Sequence, residues 1–109
     1  MNLLKKVYNV LFKSKTNRRV IKNDTTKVSY NELNVVIISM PNLKNKSFKI
    51  ANWFCKVGEV VNKGDILCEL ENELNTIEFE SYISGRLVEI TTKKGFIYKD
   101  ELICKIEKF

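Results

Sequence analysis

The sequence predicts an all-β domain: a flattened barrel or sandwich of two short sheets related by a pseudo-twofold axis, preceded by a short N-terminal amphipathic helix. Three observations predict it. From Val35 onward the chain is a series of short β-rich runs punctuated by glycine, those runs repeat internally, and a helical apolar stripe is confined to the first thirteen residues.

The runs are residues 35–38, 48–57, 60–61, 66–70, 76–79, 87–90 and 102–106, with Gly58, Gly64, Gly85 and Gly95 among the breaks. Stretches of Val, Ile, Phe and Leu this short, separated by turn residues, suit the half-buried pleated surface of a small barrel or sandwich. Alternate residues of a strand share a face, so Ile66, Cys68 and Leu70 are expected to point inward, as are Leu102, Cys104 and Ile106.

The repeat is the stronger signal. At an offset of 37 residues, Ile50 and Ala51 fall on Leu87 and Val88, Trp53 on Ile90, Lys56 on Lys93, Gly58 on Gly95, and Val60 and Val61 on Ile97 and Tyr98. A deletion at Lys63 changes the offset to 36, which places Ile66, Leu67 and Cys68 on Leu102, Ile103 and Cys104, Leu70 on Ile106 and Glu71 on Glu107. Two copies of one β unit follow, and their joint, residues 72–86, is expected to form a hairpin at one end of the barrel.

The extension differs in character. Leu3, Leu4, Val7, Val10 and Leu11 sit at helical spacing, with Lys5, Lys6, Asn9 and Lys13 elsewhere around the wheel, which predicts a basic amphipathic helix over about residues 3–13. Residues 14–30 are polar and without period, a linker. The formal charge of +6 belongs to residues 1–34, because residues 35–109 hold eleven basic and eleven acidic side chains. The domain organisation read here is therefore a basic extension, 1–34, and a β-barrel domain, 35–109. Lys5 and Lys6 are candidate partner contacts; the helix could meet an anionic membrane surface through residues 1–13, dock on a partner or pack on its own barrel. Residues 1–23 contain no acid, so an organelle-targeting sequence is the alternative to a cytoplasmic location.

Several function classes are excluded or disfavoured. With no histidine and no nucleophile or phosphate-binding motif, no catalytic residue is assigned. Cys55, Cys68 and Cys104 lack metal-ligand spacing, so no metal site is expected; their odd number suggests a reducing compartment and thiols used as small buried apolar groups. Trp53 and Phe54 beside lysines could stack nucleic-acid bases, but Trp53 repeats as the apolar Ile90 in an electrically neutral domain. Core packing is the better account, and neither nucleic acid nor a small-molecule substrate is expected. Glu69, Glu71 and Glu73 alternate along a strand and turn, which predicts one solvated acidic face.

Met40-Pro41-Asn42-Leu43, the run from Ile50 through Gly58 and Gly64-Asp65 to Glu71, and Glu78-Phe79-Glu80-Ser81 with Gly85 after it together resemble the biotinyl/lipoyl carrier domain family, and more closely its lipoyl branch. The resemblance covers about 75 residues, from about Val35 to Phe109. It implies the two-sheet barrel already described, with a protruding turn at residues 72–76. In the family that turn presents a lysine within Asp-Lys-Ala, or Met-Lys-Met in the biotin branch, whose amine is acylated. Here Glu73-Leu74-Asn75 stands in register, and no lysine occurs between Lys63 and Lys93. A leucine offers no nitrogen nucleophile to an activated carboxylate, so no cofactor is expected at this degenerate attachment turn.

Leu74 is then either a neutral relic or an anchor for a partner's pocket flanked by Glu73. The resemblance implies a non-enzymatic, unmodified lipoyl-like domain serving as a protein-binding, scaffold or regulatory module. Its partner would belong to a lipoyl-dependent or biotin-dependent enzyme system. The alternatives are a lipoyl- or biotin-type carrier with an atypical attachment point, and a relative of membrane-fusion adaptor lipoyl domains. Those adaptors insert a long helical hairpin where this chain has only residues 72–86.

Overall fold

The structure, a computed structural model, describes residues 10–12 as backbone and residues 18–109 in full. Eight strands are formed: β1 (Val10–Phe12), β2 (Val35–Ser39), β3 (Lys49–Trp53), β4 (Val60–Val61), β5 (Ile66–Glu71), β6 (Thr76–Glu80), β7 (Gly85–Ile90) and β8 (Leu102–Lys108). They build two antiparallel sheets, with orders β1-β6-β5-β3 and β2-β8-β7-β4. Two apolar inner faces meet between the sheets. Met40, Phe48, Leu70, Phe79, Leu87, Ile97 and Ile106 are among the buried side chains there, and burial of this apolar surface is the main force holding the layers together.

The pairing reproduces the sequence repeat. β3 pairs β5 as β7 pairs β8, and β5 pairs β6 as β8 pairs β2. The irregularities repeat as well. Ladder registers shift around Ala51 and around Val88, and again around Leu67 and around Ile103, which are the residue pairs the sequence sets at offsets of 37 and 36. A bulge adds one residue to a strand and deepens its twist, so both halves bend at the same place.

Bridge partners revise the repeat at one point. Val61 pairs with Gly85 and Ile97 pairs with Phe48; since Gly85 and Phe48 are equivalent, Val61 matches Ile97, and the offset changes before Val61 rather than at Lys63. Burial agrees, with Val61 and Ile97 enclosed and Val60 and Tyr98 more than half exposed.

Bulges also explain where simple alternation fails. Cys68, Leu70, Cys104 and Ile106 lie in the core as expected, but at the irregularities Leu67 and Ile103 are the fully enclosed residues, while Ile66 is buried outside the core cluster and Leu102 is only half-buried. Glu69 is buried rather than solvated, and accepts a hydrogen bond of 2.9 Å from Asn52 Nδ2 on β3. Only Glu73 of the three predicted surface carboxylates is fully exposed, Glu71 being half-buried.

The extension is where the structure departs most from the sequence reading. Val10–Phe12 form a strand that pairs with β6, Val10 opposite Phe79 and Phe12 opposite Ile77. The expected helix over 3–13 therefore does not run through these residues, and the remainder of it lies outside the described residues. A free edge strand rewards extended backbone with ladder hydrogen bonds, which outweighs a short apolar stripe at helical spacing.

Residues 18–31 form a strap on the barrel. Ile21 N–H donates to the Trp53 carbonyl, Val28 N–H to Val88, and Ile90 N–H to Thr26. The Asn23 side chain receives Val57 N–H and donates to the Cys55 carbonyl. Arg18 Nε donates to Glu78 Oε2 at 2.9 Å. At the strap's end Asn31 N–H donates to Glu107 Oε2 at 2.7 Å. Asn31 then caps a 3-10 turn, Glu32–Asn34, which leads into β2.

Candidate functional site: the tip of the central hairpin

β5 and β6 are joined by residues 72–75, at the barrel end the sequence predicts. Asn72 organises this turn. Its Oδ1 accepts from Leu74 N–H at 3.0 Å and from Asn75 N–H at 2.8 Å, and its own N–H donates to the Asn75 carbonyl at 2.9 Å. Asn favours such turns because its short side chain takes the place of a backbone acceptor. The tip is thereby held by three hydrogen bonds.

The structure brings Glu73, Leu74 and Asn75 together at the exposed summit. Leu74 is 77% exposed. The remaining partner candidates, Lys5 and Lys6, lie outside the described residues.

A second hairpin stands beside the tip. Leu43 bridges Lys46 across Lys44 and Asn45, whose φ angles of 57° and 59° are left-handed, the pairing of a tight hairpin turn that favours Gly and Asn. Asn45 N–H donates to Asn42 Oδ1 at 2.9 Å. Asn72 Nδ2 donates to the Ser47 carbonyl at 3.3 Å, and Lys49 faces Glu71 at 3.8 Å; these tie the two hairpins together. Asn42, Asn45, Lys46, Ser47, Tyr98 and Lys99 line a recess of about 230 Å³ at this end. Sequence reasoning missed this loop as part of the site. Its turn residues, Pro41, Asn42 and Asn45, were the available signal; the contact to Asn72 was not.

Chemically the tip offers an exposed apolar side chain between exposed polar neighbours. A leucine cannot form the amide that an amine forms, and the nearby carboxylates Glu71 and Glu73 supply charge at an exposed rim. Cys55, Cys68 and Cys104 are buried. Burial, reinforced by Asp65 and Glu59, raises the Cys55 thiol to about 11, and burial likewise raises Cys68 and Cys104. All three stay protonated near neutrality and make poor nucleophiles.

Comparison with known proteins agrees with the geometry. The family model described as "Biotin-requiring enzyme", the biotin/lipoyl domain, matches residues 34–106. The chain is 30% identical over 60 residues to the dihydrolipoyllysine-residue acetyltransferase component of the pyruvate dehydrogenase complex from Staphylococcus aureus, and equally to that from Staphylococcus epidermidis. In each case the match covers 54% of this chain and 14% of the relative, so the chain corresponds to a small part of those proteins. With two pseudo-symmetric sheets, a central hairpin in the expected place and a family match over most of its length, the chain belongs to the biotinyl/lipoyl domain family.

Proposed function

We propose that this chain is a non-enzymatic, unmodified lipoyl-like module that is recognised by a protein of a lipoyl-dependent or biotin-dependent enzyme system, in the role of scaffold, decoy or regulator. The single observation carrying this reading is the tip itself: Asn72 clamps an exposed hairpin turn, and Leu74 at its summit is the residue that the family resemblance sets in register with the acylated lysine. Burying an exposed leucine in a partner's pocket contributes about 1.5–3 kcal/mol, enough to make Leu74 an anchor. A cytoplasmic location belongs to the same proposal, supported by three buried thiols that form no disulfide. Contact with a membrane through residues 1–13 forms no part of it.

Leu74→Lys tests the reading. Glu73 supplies an acidic neighbour, so co-expression with a lipoate ligase should add one lipoyl mass at residue 74. A folded variant that gains no mass would show that the surface no longer resembles a carrier, removing the case for recognition by such enzymes.

One observation favours a second reading, a carrier with displaced attachment. Lys44 is exposed at the tip of the neighbouring hairpin, in a left-handed conformation that lysine rarely adopts. Peptide mapping of protein isolated from host cells would show acylation at Lys44 if that reading holds.

A further inference from the structure

A sheet edge presents unpaired backbone donors and acceptors, and proteins protect such edges by covering, shortening or charging them. Three of the four edges here are protected in cis among the described residues. β1, the edge strand that covers β6, has only three residues. At β3, Ile21 bridges Trp53 and Ile97 bridges Phe48. β4 has two residues. The fourth edge, β2, is five residues of Val-Val-Ile-Ile-Ser with no charge and no proline. It is the pseudo-symmetric counterpart of β6, so the strand that covers one has no equivalent on the other.

The direction of its free groups follows from the ladder. Met40 bonds through both its N–H and its carbonyl to the Asp100 and Glu101 backbone. Alternate residues share a side, so Ile38 and Val36 also face β8, whereas Val35, Ile37 and Ser39 turn their backbone groups to the open edge. Ile37 is 59% exposed, and Leu33 and Phe109, at the end where Val35 lies opposite Glu107, are 92% and 82% exposed.

We infer that β2 is a docking edge for a second copy of this chain, pairing antiparallel with its own counterpart about a twofold axis at Ile37. Self-pairing fits this strand in particular. Ile37 meets Ile37 of the second copy, Val35 meets Ser39, and about six hydrogen bonds satisfy the outward groups of both strands. No like charges are opposed. The arrangement also points the end bearing Glu32 toward the end from which the loop with Lys44 and Lys46 departs, and those side chains make no ion pair among the described residues. Pairing is bounded by the Glu32–Asn34 turn and by Pro41, which lacks an N–H. The contact is isologous and closes at two copies.

Sedimentation of the full chain over a range of concentrations tests this. A monomer–dimer equilibrium is expected, weakened at least tenfold by Ile37→Lys and by Ile37→Pro. The proline removes only an N–H that faces solvent within one chain, and Val60→Lys at the β4 edge should leave association unchanged. Ile37→Cys gives an independent reading. Opposed residues of a hydrogen-bonded pair lie about 5.5 Å apart between Cα atoms, within disulfide range, so mild oxidation should link Ile37→Cys to itself but not Val35→Cys, while Val35→Cys mixed with Ser39→Cys should link. A monomer at every concentration, a dimer undiminished by Ile37→Lys, or Val35→Cys linking better than Ile37→Cys would overturn the proposal. So would association lost on Leu11→Pro but indifferent to residue 37, which would assign the contact to exchange of β1.

Discussion

Arg18→Ala removes the cation that reaches across 60 residues of sequence to Glu78. The Glu78 side chain is 3% exposed and the Arg18 side chain 34%, and Glu78 stands directly opposite Glu69 on β5, itself buried. The Glu78 bond raises the Arg18 pKa despite partial burial. Truncating Arg18 therefore leaves a carboxylate enclosed beside a second one. Breaking a fully buried pair costs about 3–5 kcal/mol; because a third of the arginine side chain meets solvent, we expect about 2–3 kcal/mol. At roughly 4 °C per kcal/mol for a domain of this size, the melting temperature should fall by about 10 °C. Thermal unfolding followed by circular dichroism at pH 7 measures it. Adding Glu78→Gln to Arg18→Ala should recover most of the loss by removing the stranded charge. A loss below about 1 kcal/mol, or no recovery in the double variant, would refute the view that this pair fastens the strap to the sheet.

Three further outcomes follow from the same geometry. Gly85→Ala should destabilise by about 2 kcal/mol, because a Cβ there collides with the Glu107 carbonyl and the Ile106 side chain; denaturant titration should show a lowered midpoint with an unchanged slope. Cys68 and Cys104 should resist thiol reagents at pH 8 until the chain unfolds, read as mass gain in native against denatured protein, since burial holds both thiols protonated. The Glu107 carboxyl is held below its usual 4.5 by Asn31 N–H and then Arg86; a lowered folded pKa contributes stability that is complete above the unfolded value and lost as pH falls through the folded one. Protection of the Asn31 amide in hydrogen exchange should therefore decline as pH drops below about 4.5 in wild type, and Glu107→Gln should show less of that decline.

How much was legible in the sequence depended on where the governing contact lay. The inward Cys68 and Leu70, the repeat, and the central hairpin are written in local pattern, and each appears in the structure. Leu102 misled because a bulge at Ile103 interrupts the period of two, which a fixed alternation does not anticipate. Glu69 read as solvated because its cover is the Asn52 side chain from another strand. Val10 and Leu11 fitted a helical wheel, yet the unpaired edge of β6, distant in sequence, selects extended backbone there. At the site, the reading of Leu74 as standing where the family has a lysine rests on register alone. Asn72 lay within the predicted turn, but the loop at 42–46 joined the site only through its contact with Asn72, which brings distant residues together.

The central claim is that this domain presents a carrier's hairpin without a carrier's chemistry. Intact mass spectrometry of the chain isolated from cells with active lipoylation and biotinylation tests it most directly. The account predicts the mass of the polypeptide with no acyl addition, in the same cells whose own carrier domains are modified. A species heavier by one lipoyl or biotinyl group, mapped to any lysine of residues 35–109, would contradict it.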